Sequence, residues 1–154
     1  MLAHLIGPVP VHSRIEDLLL DEQFDVVLLA SHLINTPNPT QRQAFLRTCR
    51  RHVKPAGQVL AQWHPPEWFD ALAPGTRREG NLGPLSGRLD VLTITDGLLT
   101  AEVSYRTPDE VWIQRFRARR LTDHELVEEL RSAGLDSHRW LDPQRQWLSA
   151  LPLT

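Results

Sequence analysis

Between Phe24 and Gln62 the chain spells an apolar run, a polar turn with two prolines, an amphipathic segment, the sequence Val53-Lys54-Pro55-Ala56-Gly57 and a second apolar run. Phe24 to Ser31 is apolar after Asp25 and too short for a buried helix, so it reads as a strand covered on both faces, the habit of a parallel sheet. Asn38 supplies an N-cap and Pro39 a first-turn proline for the helix that follows. Leu46, Cys49 and Val53 share one face of that helix, while Arg42, Arg47, Arg50 and Arg51 are expected to be left mostly to solvent. Pro55 and Gly57 are expected to end the helix, and Gln58 to Gln62 to form the next strand. Such a unit crosses over right-handed and places its ligand crevice at the carboxyl ends of its strands, which Ser31–Asn35 and Trp63–Trp68 occupy.

The pattern changes after Trp63. His64-Pro65-Pro66-Glu67-Trp68 opens a linker with a short helix from Pro66 to Leu72 and a glycine-rich continuation through Gly87. Three segments of period-two alternation follow, at Leu89–Thr95, Leu98–Arg106 and Val111–Arg119, joined by Asp96-Gly97 and Pro108-Asp109, so an antiparallel meander is expected. Thr122 with Glu125 three residues on forms a capping box, Leu121 can staple to Leu126, and Gly134 closes this last helix. Leu126, Val127, Leu130 and Ala133 make its apolar stripe, and Leu135–Leu141 with Gln146–Leu151 return as a terminal strand pair.

Composition narrows the function classes. At 154 residues and 41% hydrophobic content the chain can bury one core, and a net charge of −2 gives no general attraction to nucleic acid or anionic lipid. The single cysteine, Cys49, forms no internal disulfide and reads as a small buried hydrophobe. No run approaches a membrane span and no signal peptide is evident, so a cytoplasmic protein is expected. The scattered histidines show no helical metal-ligand spacing, and no nucleophile elbow or phosphate loop appears. Arg115, Arg117 and Arg119 line one strand face with Arg120 next to them, while Trp112 and Phe116 lie on the opposite face; this row reads as a solvated edge that discourages sheet association rather than as a nucleic-acid surface.

Phe-Asp-Val-Val-Leu-Leu, a polar loop, a helix and a Val-Lys-Pro-x-Gly turn into a strand resemble the fourth and fifth strands of class I S-adenosylmethionine-dependent methyltransferases. Met1-Leu2-Ala3-His4 looks like the start of that family's helix after the second strand, and Arg14-Ile15-Glu16-Asp17-Leu18 like the acidic segment after its third. Leu121 to Leu126 through Leu135 is similar to its late helix, and Trp140 to Pro152 to its final hairpin. The resemblance implies an α/β fold: a Rossmann-like methyltransferase sheet, N-terminally truncated, with an antiparallel three-stranded insertion acting as a lid. The family's Gly-rich first turn and its ribose-binding acidic residue have no counterpart here. One partial domain over 1–154 is expected, with 1–64 the remaining cofactor-side half, 65–87 a linker and short helix, 88–120 the lid, and 121–154 the terminal helix and strand pair.

The implied cofactor is S-adenosyl-L-methionine, lined by Ile15, Glu16, Asp17 and Leu18 at the adenine and by Ala30, Ser31 and His32 at the strand end. The implied partner is a small-molecule methyl acceptor. His32 and His64 are the candidates to accept a proton from its nucleophile, since imidazole titrates near neutral pH. Asn35, Trp63, His64 and Trp68 are expected to line the acceptor pocket, the two tryptophans by offering ring faces to a cation or by simple core packing. Val9–Ser13 would lack its usual sheet partners, so it pairs with Phe24–Ser31, frays, or leaves an exposed edge. The alternative to a weak or inactive methyltransferase is a non-catalytic module that associates or dimerises through that edge. A dinucleotide-dependent oxidoreductase half accounts less well for the late hairpin.

Overall fold

The computed structural model describes Gly7, residues 9–83 and residues 85–154; the Met1–His4 segment compared above lies outside them. In chain order the elements are β1 (Phe24–Leu29), α1 (Pro39–His52), β2 (Val53–Gln62), α2 (Pro66–Asp70), β3 (Arg77–Leu82), β4 (Leu85–Thr95), β5 (Leu98–Arg106), β6 (Val111–Arg119), α3 (Asp123–Ser132), β7 (Leu135–Trp140) and β8 (Trp147–Pro152). They build two four-stranded sheets, β1-β2-β8-β7 and β3-β4-β5-β6.

In the first sheet β1 and β2 run parallel, and β8 pairs antiparallel with β2 and with β7. The caps behave as the residues dictate: the Asn38 side chain accepts from the N–H groups of Thr40 and Gln41, and Thr122 and Glu125 form the reciprocal box that opens α3. Both helices lie on one face, where Val27 and Leu29, Val59 and Ala61, and Leu148 and Ala150 meet Phe45, Leu46, Leu126 and Leu130. Fully burying a side chain of this size contributes about 1.5–3 kcal/mol. The residues between them, Phe24, Val26 and Leu28, point to the other side and stay 37–60% exposed. β1 is therefore not covered on both faces, as its unbroken apolar run had suggested; among the described residues nothing packs on that side or pairs with its outer edge. Val9–Ser13 forms no strand and is exposed.

Two expectations about α1 need correction. Arg42 is buried rather than solvated, because its guanidinium ion-pairs with Glu129 of α3 at 2.6 Å and donates to the Thr36 carbonyl. The helix also ends at His52, and Val53 to Gly57 belongs to β2 as a bulge, with the register jumping from Phe24↔Val53 to Val26↔Gln58. Gly57 is required there: a Cβ would stand 2.7 Å from the Asp25 carbonyl oxygen. Lys54 spans the bulge to the Asp25 carboxylate at 2.9 Å.

The second sheet has four strands rather than three, since the glycine-rich stretch read as linker forms β3, and β4 starts at Leu85. Gly80 pairs with Gly87, a combination that hides alternation in the sequence but leaves the backbone ladder intact. Leu72 and Phe69 of the α2 region pack on Val91, Leu99, Ala101 and Ala118, forming a second core. The opposite face carries an ion-pair ladder, Arg77 and Arg88 with Asp90 and Arg115 with Glu102. Arg120 is likewise paired, with Asp70, and Arg119 donates to the Asp96 carbonyl, so two of the four arginines in the row have a carboxylate partner among the described residues.

Candidate active site

At the carboxyl end of β1 the backbone turns sharply. Ser31 and His32 both take left-handed conformations, φ 61° and 55°. Two such non-glycine residues in succession cost about 1–3 kcal/mol each, a strain that characteristically sits at functional turns. The Ser31 N–H is held by the Gln62 side chain of β2 at 2.9 Å, and a short 3₁₀ turn over Leu33–Asn35 follows. This geometry folds the His32 ring over the end of β2.

There it meets His64. The two imidazoles stack with centroids 3.6 Å apart and planes 7° from parallel, and His64 stacks in turn on Trp68 of α2 at 3.7 Å and 10°. Phe69 approaches both His64 and Trp68 edge-on. A continuous three-ring column thus bridges the ends of the two parallel strands and the lid. Asn35 fixes its centre: the Asn35 Oδ1 accepts from the His64 N–H at 2.7 Å, and Nδ2 donates to the carbonyls of His64 and Arg119.

Burial pushes the His32 imidazole down to about 4 and the His64 imidazole to about 3, with the neighbouring His32 lowering His64 further. Desolvation penalises the charged form, and so both rings are neutral at physiological pH. They offer lone pairs, and burial makes both weaker bases than the free imidazole from which the sequence expectation reasoned. The Nδ1 atom of His64 is buried with no hydrogen-bond partner among the described residues.

The remaining expected site residues divide. Trp68 joins the column, whereas Trp63 is fully buried in the first core, its indole N–H donating to the Arg145 carbonyl and its ring stacked on Trp140. Asn35, expected to line the pocket, is 1% exposed and positions His64 instead. Ala30 and Ser31 sit at the end of β1, as placed from the sequence. Ile15–Asp17 forms a 3₁₀ turn pinned to α1, where the His52 ring accepts from the Leu20 N–H at 3.0 Å and is anchored at the Thr48 carbonyl. The Glu16 carboxylate is drawn below its usual range by backbone hydrogen bonding and by Arg14, while Asp17 is exposed. Sequence reasoning missed Gln62, Phe69 and His52. Only the amide following the Leu33-Ile34 apolar pair hinted at the Asn35 clamp. An open groove of about 650 Å³ between α1, α3 and the base of β5–β6 contains none of these site residues.

No protein-family model matches the sequence, and no curated protein matches it by sequence. Solved structures do match. A S-adenosylmethionine-dependent methyltransferase from Clostridium acetobutylicum superposes with a TM-score of 0.74 at 10% identity, over 94% of this chain and 64% of that one. The CcbJ methyltransferase from Streptomyces caelestis gives 0.72 at 17% identity, over 95% and 64%. The fold is that of the class I S-adenosylmethionine-dependent methyltransferases. The sugar N-methyltransferase KedS8 from Streptoalloteichus sp. agrees, with 0.70 at 16% identity over 97% and 64%. The chain therefore spans just under two thirds of the length of these methyltransferases. In the order β1-β2-β8-β7 the strands compared with the family's fourth and fifth lie side by side, and the terminal hairpin continues the sheet from β2.

The residues present suit two parts of the methyltransferase cofactor. Glu16 is an ionised acceptor beside the buried flank of Ile15, as an adenine amino group and ring require. The strained Ser31–His32 turn exposes backbone at the strand end without a charged side chain, which a sulfonium tolerates.

Proposed function

We propose that this chain supplies the acceptor side of S-adenosylmethionine-dependent methyl transfer to a small-molecule amine. The column His32–His64–Trp68 at the carboxyl ends of β1 and β2 is the observation that carries the reading. Ile15, Glu16 and Leu18 would hold the adenine, and Ala30, Ser31 and His32 the methyl-bearing end. When bound, the cofactor supplies an electrophilic methyl group on a sulfonium.

Everything else is alignment and exclusion of water, which an in-line displacement chiefly needs. Neutral imidazoles suit this work. Two protonated histidines would repel a sulfonium, whereas uncharged rings do not, and the stack leaves the outer faces of His32 and Trp68 to attract it or a cationic acceptor. KedS8 is by its description a sugar N-methyltransferase, which supports nitrogen as the accepting atom.

Calorimetric titration with S-adenosylmethionine and S-adenosylhomocysteine tests the reading, on this chain and on a form extended upstream in its own reading frame. Saturable one-to-one binding by either form is expected. A second reading, association through the open side of β1, is favoured by the exposure of Phe24, Val26 and Leu28. Binding by neither form, together with a folded dimer in sedimentation equilibrium, would replace the first reading by the second.

A further inference from the structure

The lid sheet continues well past the helix that covers it. On the face that packs against α2, successive rows across the strands are Val91–Ala101–Phe116, then Arg78–Leu89–Val103–Gln114, then Gly80–Gly87–Tyr105–Trp112. The first row is core. In the second, the Arg78 guanidinium donates to the Ala71 carbonyl just after α2, which shows where the helix cover stops. Nothing described covers the third row: Trp112 is 48% exposed, and a Cβ built on Gly80 meets no atom within 4 Å. At Gly87 a Cβ would lie 3.9 Å from the Tyr105 ring, so the paired glycines leave a shallow recess beside two cross-strand aromatics.

We propose that Gly80, Gly87, Tyr105 and Trp112 form a distal acceptor subsite that holds a glycosyl ring, about 14 Å along the strands from the Phe116 row that adjoins the ring column. This assignment rests on the methyltransferase reading for its place in the acceptor, though not for the binding itself. Two features select the occupant. The opposite face of the same sheet carries the Arg77, Arg88 and Asp90 cluster and the Arg115–Glu102 pair, with Val111 and Ile113 exposed beyond them, so the aromatic pair with its glycine recess is found only on the face continuous with Trp68. Adjacent aromatic rings bind the C–H face of a pyranose, and the glycine recess admits its edge. Arg78 and Gln114 at the rim then meet hydroxyl groups, which a wholly apolar ring would leave unpaired.

Fluorine NMR of the protein labelled with 5-fluorotryptophan resolves the question, since the chain has five tryptophans. The probes are the β-1,4-linked glucosamine trimer and glucosamine itself. The trimer is expected to move the Trp112 resonance, identified by its loss in Trp112→Phe. Trp112→Ala and Tyr105→Ala should each weaken the trimer by about tenfold, the scale of one lost aromatic contact, and leave the monomer unchanged. Gly80→Val fills the recess without a clash and improves strand propensity, so it should abolish the Trp112 shift while holding or raising the urea midpoint. No trimer binding, trimer binding that leaves Trp112 unmoved, or equal affinity in Trp112→Ala would overturn the subsite. The methyltransferase reading stands or falls separately, on the calorimetry.

Discussion

Burial between His32 and Trp68 pushes the His64 imidazole down to about 3, and that of His32 to about 4, which makes both rings a source of pH-dependent stability. The sign follows from linkage. An unfolded histidine takes up its proton near 6.5 and the folded ones do not, so the unfolded state binds more protons between the two values. The stabilisation is fully present above about 6.5 and is lost as pH falls toward the folded values. Urea midpoints measured from pH 7 to pH 5, a range above most carboxylate titration, should decline in the parent. Replacing His32 and His64 together with Gln should flatten that slope; an unchanged slope would mean that the column does not shield the rings. The same residues explain why a proton-accepting role was easy to assign from sequence, and burial makes both rings weaker bases than that assignment assumed. Position at a strand end was readable, whereas desolvation by a second imidazole and an indole was not.

At the level of elements, the β1–β2 crossover depends on one close approach. Val53-Lys54-Pro55-Ala56-Gly57 looked like a helix terminator because proline and glycine usually are. In the fold it is a bulge in which the Gly57 backbone lies against the Asp25 and Phe24 carbonyls. The position is buried and its φ is not in the left-handed region, so the requirement for glycine is steric rather than conformational. Gly57→Ala should destabilise the chain by about 1–3 kcal/mol, the range for forcing a methyl into packed structure. Chemical denaturation reads this directly, and a change below a few tenths of a kcal/mol would show that the bulge can open. β3 teaches the converse: Gly80 and Gly83 suggested a linker, yet pairing of Arg77–Leu82 with the first half of β4 made a strand of it.

Across the whole molecule, the first core and its two helices are tied by a charge. Arg42, on α1, meets Glu129 on α3 with both side chains largely buried, and Gln43 adds a second link to the same carboxylate. Removing one member strands the other in a poorly solvated place, so Arg42→Met should cost about 3–5 kcal/mol, while the pair Arg42→Met with Glu129→Leu should recover most of it. A double-mutant cycle by denaturation gives the coupling, and additive losses would show that the two residues act independently. The sequence by itself determined the order of elements apart from β3, the caps of α1 and α3, the crossover at β1–β2 and the terminal hairpin, because these rest on local periodicity and on side chains that bond to their own backbone. Only the tertiary structure decided that one side of β1 stands open, that Arg42 and Asn35 are buried, that Trp63 is core, and that His32, His64 and Trp68 form one column. Burial and pairing depend on partners far away in the chain: Asn35 meets Arg119, 84 residues on, and Arg42 meets Glu129, 87 residues on. No local pattern encodes such distances, since the free energy that fixes those side chains comes from surfaces that exist only after the sheet has assembled.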